Sequence, residues 1–210
     1  MFSMNAALLV ALIFCSNELF VQSQECAWTK CEDKGMVAVK SSTRPYSNGC
    51  SVPSFIQLPD FKFEKCCDSH DACYQACGAS KNDCERDFQK CLKAHCNSRY
   101  KGNGECKKTA QTFVTGVEMF GCNGYQESQA IACDCVSRSK ADSRNSAVLR
   151  KFYDRFNSSK TDEDIGTVVK KNKGKEGTMW RALFNKYPEA IEVISRDGQA
   201  QTPSGKGSEL

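Results

Sequence analysis

The cysteines constrain this sequence more than any other feature. The 210-residue chain has 15 cysteines, and all of them lie before residue 136. Cys15 falls in an apolar N-terminal segment, which leaves an even set of fourteen between Cys26 and Cys135. A dense and even set is typical of disulfides formed in an oxidising compartment. Zinc binding is the alternative, but the sequence has no C-x-x-C pair, the usual spacing of zinc ligands.

The N-terminus predicts a secretory signal peptide over residues 1–23. Residues 6–14 are an uninterrupted apolar run, too short to span a bilayer, and Ser23 offers a small residue for cleavage. The residues before the run include no Lys or Arg, so an N-terminal anchor is the alternative. We expect the mature chain to be secreted to the extracellular space.

The composition changes at residue 140. The range 24–139 holds the fourteen cysteines, whereas 140–210 holds none. We therefore predict a disulfide-rich domain over 24–139 and a small helical module over 140–194 that packs a core of its own. The module contains three amphipathic segments, the first beginning at Ser146. The polar, Gly- and Ser-rich range 195–210 is expected to be disordered.

Charge excludes one class of function. The formal net charge is +4, and no cluster of basic residues interleaved with aromatic residues is present. Such a cluster is typical of proteins that bind nucleic acid, so no nucleic-acid partner is predicted.

Two helices are predicted to face each other through cysteines. Cys66 and Cys73 lie at helical spacing in the first segment, and Cys84 and Cys91 lie in the second, after a break at Gly78. In an antiparallel pair, facing residues have numbers with a constant sum. That sum is the same for Cys66 with Cys91 and for Cys73 with Cys84, so one register brings both pairs together. We predict both disulfides.

A disulfide scaffold alone does not explain His70, which lies on the inner face of the first helix beside Asp71. The upstream loop around Cys50 is rich in turn-forming residues and can present backbone carbonyls to a hard cation. Calcium prefers such oxygens together with a carboxylate. A neutral imidazole next to that carboxylate can deprotonate a water. The residues therefore predict metal-assisted hydrolysis of an ester, with His70 as general base.

The segment with Cys66 and Cys67, then His70 and Asp71, then Cys73 and Tyr74 resembles the active-site helix of secreted phospholipase A2. The run from Asn48 to Leu92 is most similar to the group XII branch, and the resemblance covers about residues 26–136. It implies a mainly α, disulfide-rich phospholipase A2-like fold with two antiparallel disulfide-linked helices. The C-terminal helical module is added to that fold.

The resemblance also implies a site. His70 is the general base, Glu85 is the carboxylate that orients its ring, and Asp71 is the calcium ligand. The implied loop ligands are the carbonyl oxygens of Gly49, Ser51 and Pro53. It further implies the Cys50–Cys67 disulfide, and leaves eight cysteines unassigned among 105 possible pairings.

Two positions depart from the family pattern. Glu85 stands where the family usually has Asp, which lengthens the reach of the carboxylate by one methylene group. Ser51 stands where a glycine is usual, and it would be strained if the loop required a positive φ there.

The favoured function is calcium-dependent hydrolysis of the sn-2 ester of glycerophospholipids at a membrane surface, releasing a fatty acid and a lysophospholipid. The alternative is a catalytically weak or silent phospholipase A2-like module that binds lipid or protein. A purely structural disulfide protein is disfavoured by His70, Asp71 and Glu85. The expected partner is a phospholipid membrane surface, and the sequence identifies no protein partner.

Overall fold

The computed structural model describes Cys26, Cys31 and the ranges 35–52 and 57–194. The predicted signal peptide, Pro53 and the range 195–210 lie outside the described residues. Within the described ranges, no helix combines the length and the apolar character needed to cross a bilayer.

The fold is mainly helical and disulfide-rich, as predicted. The described residues form these helices: α1 (Glu64–Tyr74), α2 (Lys81–Arg99), α3 (Gly104–Phe120), α4 (Cys122–Ala132), α5 (Ala141–Phe156), α6 (Asp162–Lys171) and α7 (Glu176–Lys186). They also form four short strands: β1 (Met36–Lys40), β2 (Tyr46–Ser47), β3 (Cys133–Ser137) and β4 (Glu192–Val193). Strand β1 pairs antiparallel with β3, and β2 pairs parallel with β4.

The predicted helix pair is α1 and α2. The second helix begins after Ser80, whose side chain accepts the backbone N–H of Asp83 as an N-cap. The first helix ends at Tyr74, so Cys77, four residues after Cys73, lies beyond the helix. The chain needs the residues after Tyr74 to reverse direction, and Gly78 makes that turn with a φ of +79°.

All fourteen cysteines described are paired. The predicted disulfides Cys66–Cys91, Cys73–Cys84 and Cys50–Cys67 are present. The remaining four are Cys26–Cys122, Cys31–Cys135, Cys77–Cys133 and Cys96–Cys106. Two of these join the N-terminal segment to residues about a hundred positions later, so they tie the two ends of the cysteine-rich region together.

The C-terminal helices do not pack a core of their own, which differs from the prediction. One buried cluster joins Phe152 and Trp180 of the C-terminal helices to Cys73, Cys84 and other buried residues of the cysteine-rich region. The composition changes at residue 140 because the disulfides end there, whereas the core continues. Helix α5 also begins at Ala141 rather than Ser146.

Helix α7 approaches the turn between α1 and α2 at backbone distance. A Cβ atom placed on Gly177 would lie 2.1 Å from the carbonyl carbon of Gly78 and 2.2 Å from the nitrogen of Ala79. No real Cβ makes such contacts, so this approach requires glycine at position 177. The C-terminal helices are thus fitted closely against the helix pair that carries the predicted site.

Candidate active site

His70 lies on α1 with its side chain facing α2. The residue is 6% exposed. Its ring stacks on Phe88 of α2 at a centroid distance of 4.5 Å and contacts Tyr74 at 4.3 Å. Because Tyr74 is one helical turn after His70 and Phe88 faces it across the helix pair, the imidazole is confined between two aromatic rings.

The carboxylate of Glu85 lies beside this ring, where the resemblance to secreted phospholipase A2 implies it. His70 Nε2 is 3.7 Å from Glu85 Oε2. That separation is longer than a normal hydrogen bond, and both atoms are buried without a hydrogen-bond partner. Buried polar atoms are normally hydrogen-bonded, and these two face each other. A movement of the ring or the carboxylate by roughly 1 Å would bring the two atoms to an ordinary hydrogen-bond distance.

The other oxygen of Glu85 is held by two donors. Glu85 Oε1 accepts hydrogen bonds from the Tyr74 hydroxyl and from Lys81 Nζ, the latter at 2.9 Å. Lys81 Nζ also donates to the carbonyl of Val117 at 3.0 Å, which ties the start of α2 to the end of α3. The carboxylate therefore has one oxygen fixed and one free to face the imidazole.

These contacts determine the ionisation states of Glu85 and Tyr74. Burial alone would raise the pKa of Glu85, but His70, Tyr74 and Lys81 outweigh it and hold this pKa below its usual range. Burial, followed by the charge of Glu85, raises the pKa of Tyr74. Glu85 is therefore a carboxylate at neutral pH and Tyr74 a hydroxyl donor.

Tyr74 and Lys81 were not assigned from the sequence. Tyr74 lies four residues after His70 and Lys81 four residues before Glu85. Residues at this spacing contact each other on one face of a helix. The spacing was the signal that could have placed both residues in the site.

Asp71 points to the loop that precedes α1. Its Oδ2 accepts the Ser47 hydroxyl at 2.9 Å and the Asn48 backbone N–H at 3.3 Å. Burial raises the pKa of Asp71 to about 6, although the hydrogen bond from Ser47 opposes the rise. The structure thus brings the predicted calcium ligand to the predicted loop.

The loop makes a tight turn at Gly49. Gly49 has a φ of +75°, its N–H donates to Ser47 Oγ at 3.0 Å, and its carbonyl accepts the Ser51 N–H at 2.9 Å. Lys62 is the single non-glycine residue with a positive φ in the described ranges, so Ser51 is not strained. Of the implied loop ligands, Gly49 and Ser51 lie in this loop and Pro53 is outside the described residues.

The residues present fit a hard divalent cation. Asp71 forms no ion pair with a Lys or Arg of the described chain, and its hydrogen bonds bring it beside the loop that carries the Gly49 and Ser51 carbonyls, oxygens of the kind that calcium prefers. A half-buried carboxylate whose pKa is raised by burial is stabilised by a bound cation. Asp71, with the carbonyls of Gly49 and Ser51, would hold it.

Two clefts open near these groups. The larger, of about 590 Å³, is lined by the loop residues 48–50, by Asp68 and by apolar side chains that include Phe61. The smaller, of about 340 Å³, is lined by His70 together with α2 residues and by Arg181 of α7. The C-terminal helices therefore contribute to the surroundings of the histidine.

The second histidine is separate from this arrangement. His95 lies near the end of α2, where its Nε2 contacts the Phe61 carbonyl at 2.8 Å and its ring packs edge-on against Phe63. It is a packing residue.

Comparison with protein families gives one match over most of the chain. The model of "Group XII secretory phospholipase A2 precursor" matches residues 11–143. This range includes every residue of the candidate site and ends just after the start of α5. No solved structure matches the chain.

Curated relatives agree with that match. The chain is 36% identical over 125 residues to "Group XIIA secretory phospholipase A2" of Homo sapiens, covering 54% of this chain and 65% of the relative. The mouse protein of the same name is also 36% identical over 125 residues, with coverages of 54% and 64%. "Group XIIB secretory phospholipase A2-like protein" of Mus musculus is 32% identical over 109 residues, with coverages of 45% and 56%. The match thus spans less than two thirds of each relative.

Proposed function

Since the chain belongs to the group XII secretory phospholipase A2 family, we propose that it hydrolyses the sn-2 ester of glycerophospholipids in a calcium-dependent reaction. The products are a fatty acid and a lysophospholipid. The observation that carries the proposal is the placement of Glu85 against one ring nitrogen of His70, directly beside Asp71 and its loop.

His70 acts as the general base. Its Nε2 faces Glu85, so Nδ1 is the nitrogen that accepts a proton from the attacking water. The carboxylate of Glu85 fixes the tautomer and stabilises the imidazolium that results. The same proton then passes to the departing glycerol oxygen, and the ring returns to its neutral form.

Tyr74 and Lys81 act through Glu85. They occupy one carboxylate oxygen, which leaves the other directed at the ring. Both are positioning residues, because neither contacts the imidazole nitrogen that takes the proton. Phe88 completes the positioning by stacking on the ring.

Calcium bound here would supply Lewis-acid polarisation of the ester carbonyl and charge stabilisation of its oxygen. Asp71 would supply the charged ligand, and the loop of Gly49 and Ser51 would supply carbonyl oxygens. Ser47 and Asn48 keep the Asp71 carboxylate directed at the loop through their hydrogen bonds.

The test is hydrolysis of mixed phospholipid vesicles labelled separately at the sn-1 and sn-2 acyl chains, with calcium and with a chelator. His70→Gln should lower the rate by about 10² to 10⁴, the usual contribution of general-base catalysis, while calcium binding persists. His95→Gln is the matched control, since that histidine packs away from the site, and it should keep the wild-type rate. Asp71→Asn should abolish both calcium binding and hydrolysis.

Wild-type protein that binds vesicles without calcium-dependent release of the sn-2 chain would overturn the proposal in favour of a silent binding module. Equal rates for His70→Gln and His95→Gln would overturn the assignment of the base.

We also propose that the chain is secreted and that phospholipid membranes are its partner surface. All of the described cysteines are in disulfides, which form and persist in oxidising compartments. N-terminal sequencing of the protein recovered from culture medium should find a start near Gln24. Recovery with Met1 retained would contradict the signal peptide.

A further inference from the structure

The C-terminal end of the described chain is bound to the segment that leads into the loop. The Glu192 N–H donates to the Pro45 carbonyl at 2.8 Å, and the Ile194 N–H donates to the Ser47 carbonyl at 2.8 Å. Arg44 adds hydrogen bonds from its guanidinium to the carbonyls of Ala190 at 3.3 Å and Glu189 at 3.2 Å. Residues almost 150 positions apart in sequence are therefore joined by both backbone and side-chain hydrogen bonds.

Ser47 connects this junction to the candidate calcium site. The residue is fully buried, and its hydroxyl lies 2.9 Å from Asp71 Oδ2 and 2.6 Å from Asp68 Oδ1. The hydroxyl oxygen also accepts the Gly49 N–H. A hydroxyl has one proton, so it serves only one of the two carboxylates at a time. Its position therefore decides how Asp71 and the loop are held.

Within the part of the chain that the structure describes, β2 pairs with no strand other than β4, so its position depends on what lies on either side. On one side the Gln75 side chain clamps Tyr46, accepting its N–H at 3.1 Å and donating to its carbonyl. On the other side β4 holds Ser47 through the bond from Ile194. Without β4, the clamp at Tyr46 remains but the backbone of Ser47 loses its partner.

Strand β4 also contributes to the larger cleft. Val193 and Ile194 line it together with Asn48, Gly49 and Asp68. Val193 is 40% exposed, which is unusual for a large apolar side chain in this protein. The C-terminal strand is thus adjacent to the loop both by hydrogen bonds and as a wall of the same cleft.

We infer that β4 is a positioning element of the calcium-binding loop, acting through the backbone of Ser47. Strand β4 lies outside residues 11–143, the part of the chain that the family model matches. The calcium part of the inference rests on the proposed function, whereas the ordering of residues 46–52 by β4 does not. Two measurements separate the two parts.

The variant Ile194→Pro removes the N–H that the Ser47 carbonyl accepts, because proline has no backbone N–H. Its matched control is Ile194→Ala, which keeps the N–H and removes the side chain. The first measurement is amide hydrogen exchange of residues 46–52 in the full mature protein with chelator present. We expect faster exchange there in Ile194→Pro, with Ile194→Ala close to wild type.

The second measurement is calorimetric titration with calcium chloride alone. Changing a group that orients a metal ligand typically weakens metal binding by about 10- to 100-fold, so we expect a loss of about tenfold or more in Ile194→Pro. Ile194→Ala should retain the wild-type affinity. Arg44→Met provides a second variant that loosens the same junction without changing β4, and it should shift both readouts in the same direction.

Unchanged amide exchange over residues 46–52 in both Ile194→Pro and Arg44→Met would overturn the inference, whatever the measured calcium affinity. Faster exchange with unchanged calcium affinity would overturn the link to the metal site. If the wild-type protein binds no calcium but the exchange result holds, the positioning role stands and the proposed function fails.

Discussion

Replacing Gly177 with alanine tests whether the C-terminal helices are part of the fold of the candidate site. The new Cβ would lie 2.1 Å from the Gly78 carbonyl carbon, whereas ordinary van der Waals contact begins at 3.4 Å. Relief requires helix α7 and the turn at Gly78 to separate by more than about 1 Å, because both sides of the contact are backbone and cannot rotate away.

The cost follows from what α7 buries. Trp180 and Phe184 are 0% and 2% exposed in the shared core, and a shift of the helix loosens both. Overpacking a well-packed contact typically costs about 1–3 kcal/mol, which exceeds the gain of about 0.5–1 kcal/mol that alanine brings to a helix. We therefore expect Gly177→Ala to lower the free energy of unfolding by about 1–2 kcal/mol.

The control is Gly166→Ala in α6, where a Cβ would meet nothing within 4 Å. It should raise the free energy of unfolding by up to about 1 kcal/mol, because alanine is the better helix former. Both variants are measured by urea unfolding with disulfides intact, followed by the fluorescence of buried Trp180. If Gly177→Ala were as stable as Gly166→Ala, the close docking of α7 described above would be wrong.

Three further predictions follow from ionisable groups. Burial lowers the pKa of Lys40 to about 7 from 10.5, so between these values the unfolded chain binds more protons than the folded one and stability rises with pH. Wild type should gain about 2–3 kcal/mol of unfolding free energy from pH 6 to pH 9 in urea titrations, and Lys40→Met should gain much less; parallel curves would contradict this. Glu85→Gln should slow hydrolysis less than His70→Gln, because it loses ring orientation and not the base; an equal or greater loss would contradict the ranking. Lys81→Met removes a cation that lowers the pKa of Glu85, so its pH–rate profile should lose activity at a higher pH on the acid side than wild type; an unshifted limb would contradict it.

The helix pair could be predicted because its determinants are local. A helix has a fixed period, and Cys66 with Cys91 and Cys73 with Cys84 satisfy one antiparallel register. The same period placed His70 on the inner face, where the structure has it facing Glu85.

The docking of the C-terminal helices could not be predicted in the same way. An amphipathic pattern shows that Phe152 and Trp180 are buried, but it does not show what buries them. The close approach of Gly177 to the distant turn at Gly78 depends on how the helices assemble, and neither position signals the other in the sequence. A separate module was therefore the simplest interpretation, although the core is shared.

The pairing of β2 with β4 and the longer disulfides share this difficulty. A two-residue strand such as Glu192–Val193 has no periodicity to recognise. Fourteen cysteines admit many pairings, and Cys26–Cys122 has no local constraint that favours it over its alternatives. These contacts are decided by the assembled fold and not by neighbouring sequence.

The span of the disulfides has a consequence for the timing of synthesis. Cys73 and Cys84 are 11 residues apart, so at about 5–20 residues per second both are available within roughly two seconds of each other. Cys26 must wait for Cys122, 96 residues later, which takes roughly 5–20 s, and Cys31 waits longer for Cys135. During that interval Cys26 and Cys31 remain open to incorrect partners. A chain that pauses before residue 122 therefore has both partners of the helix-pair disulfides, whereas Cys26, Cys31 and Cys77 still lack theirs.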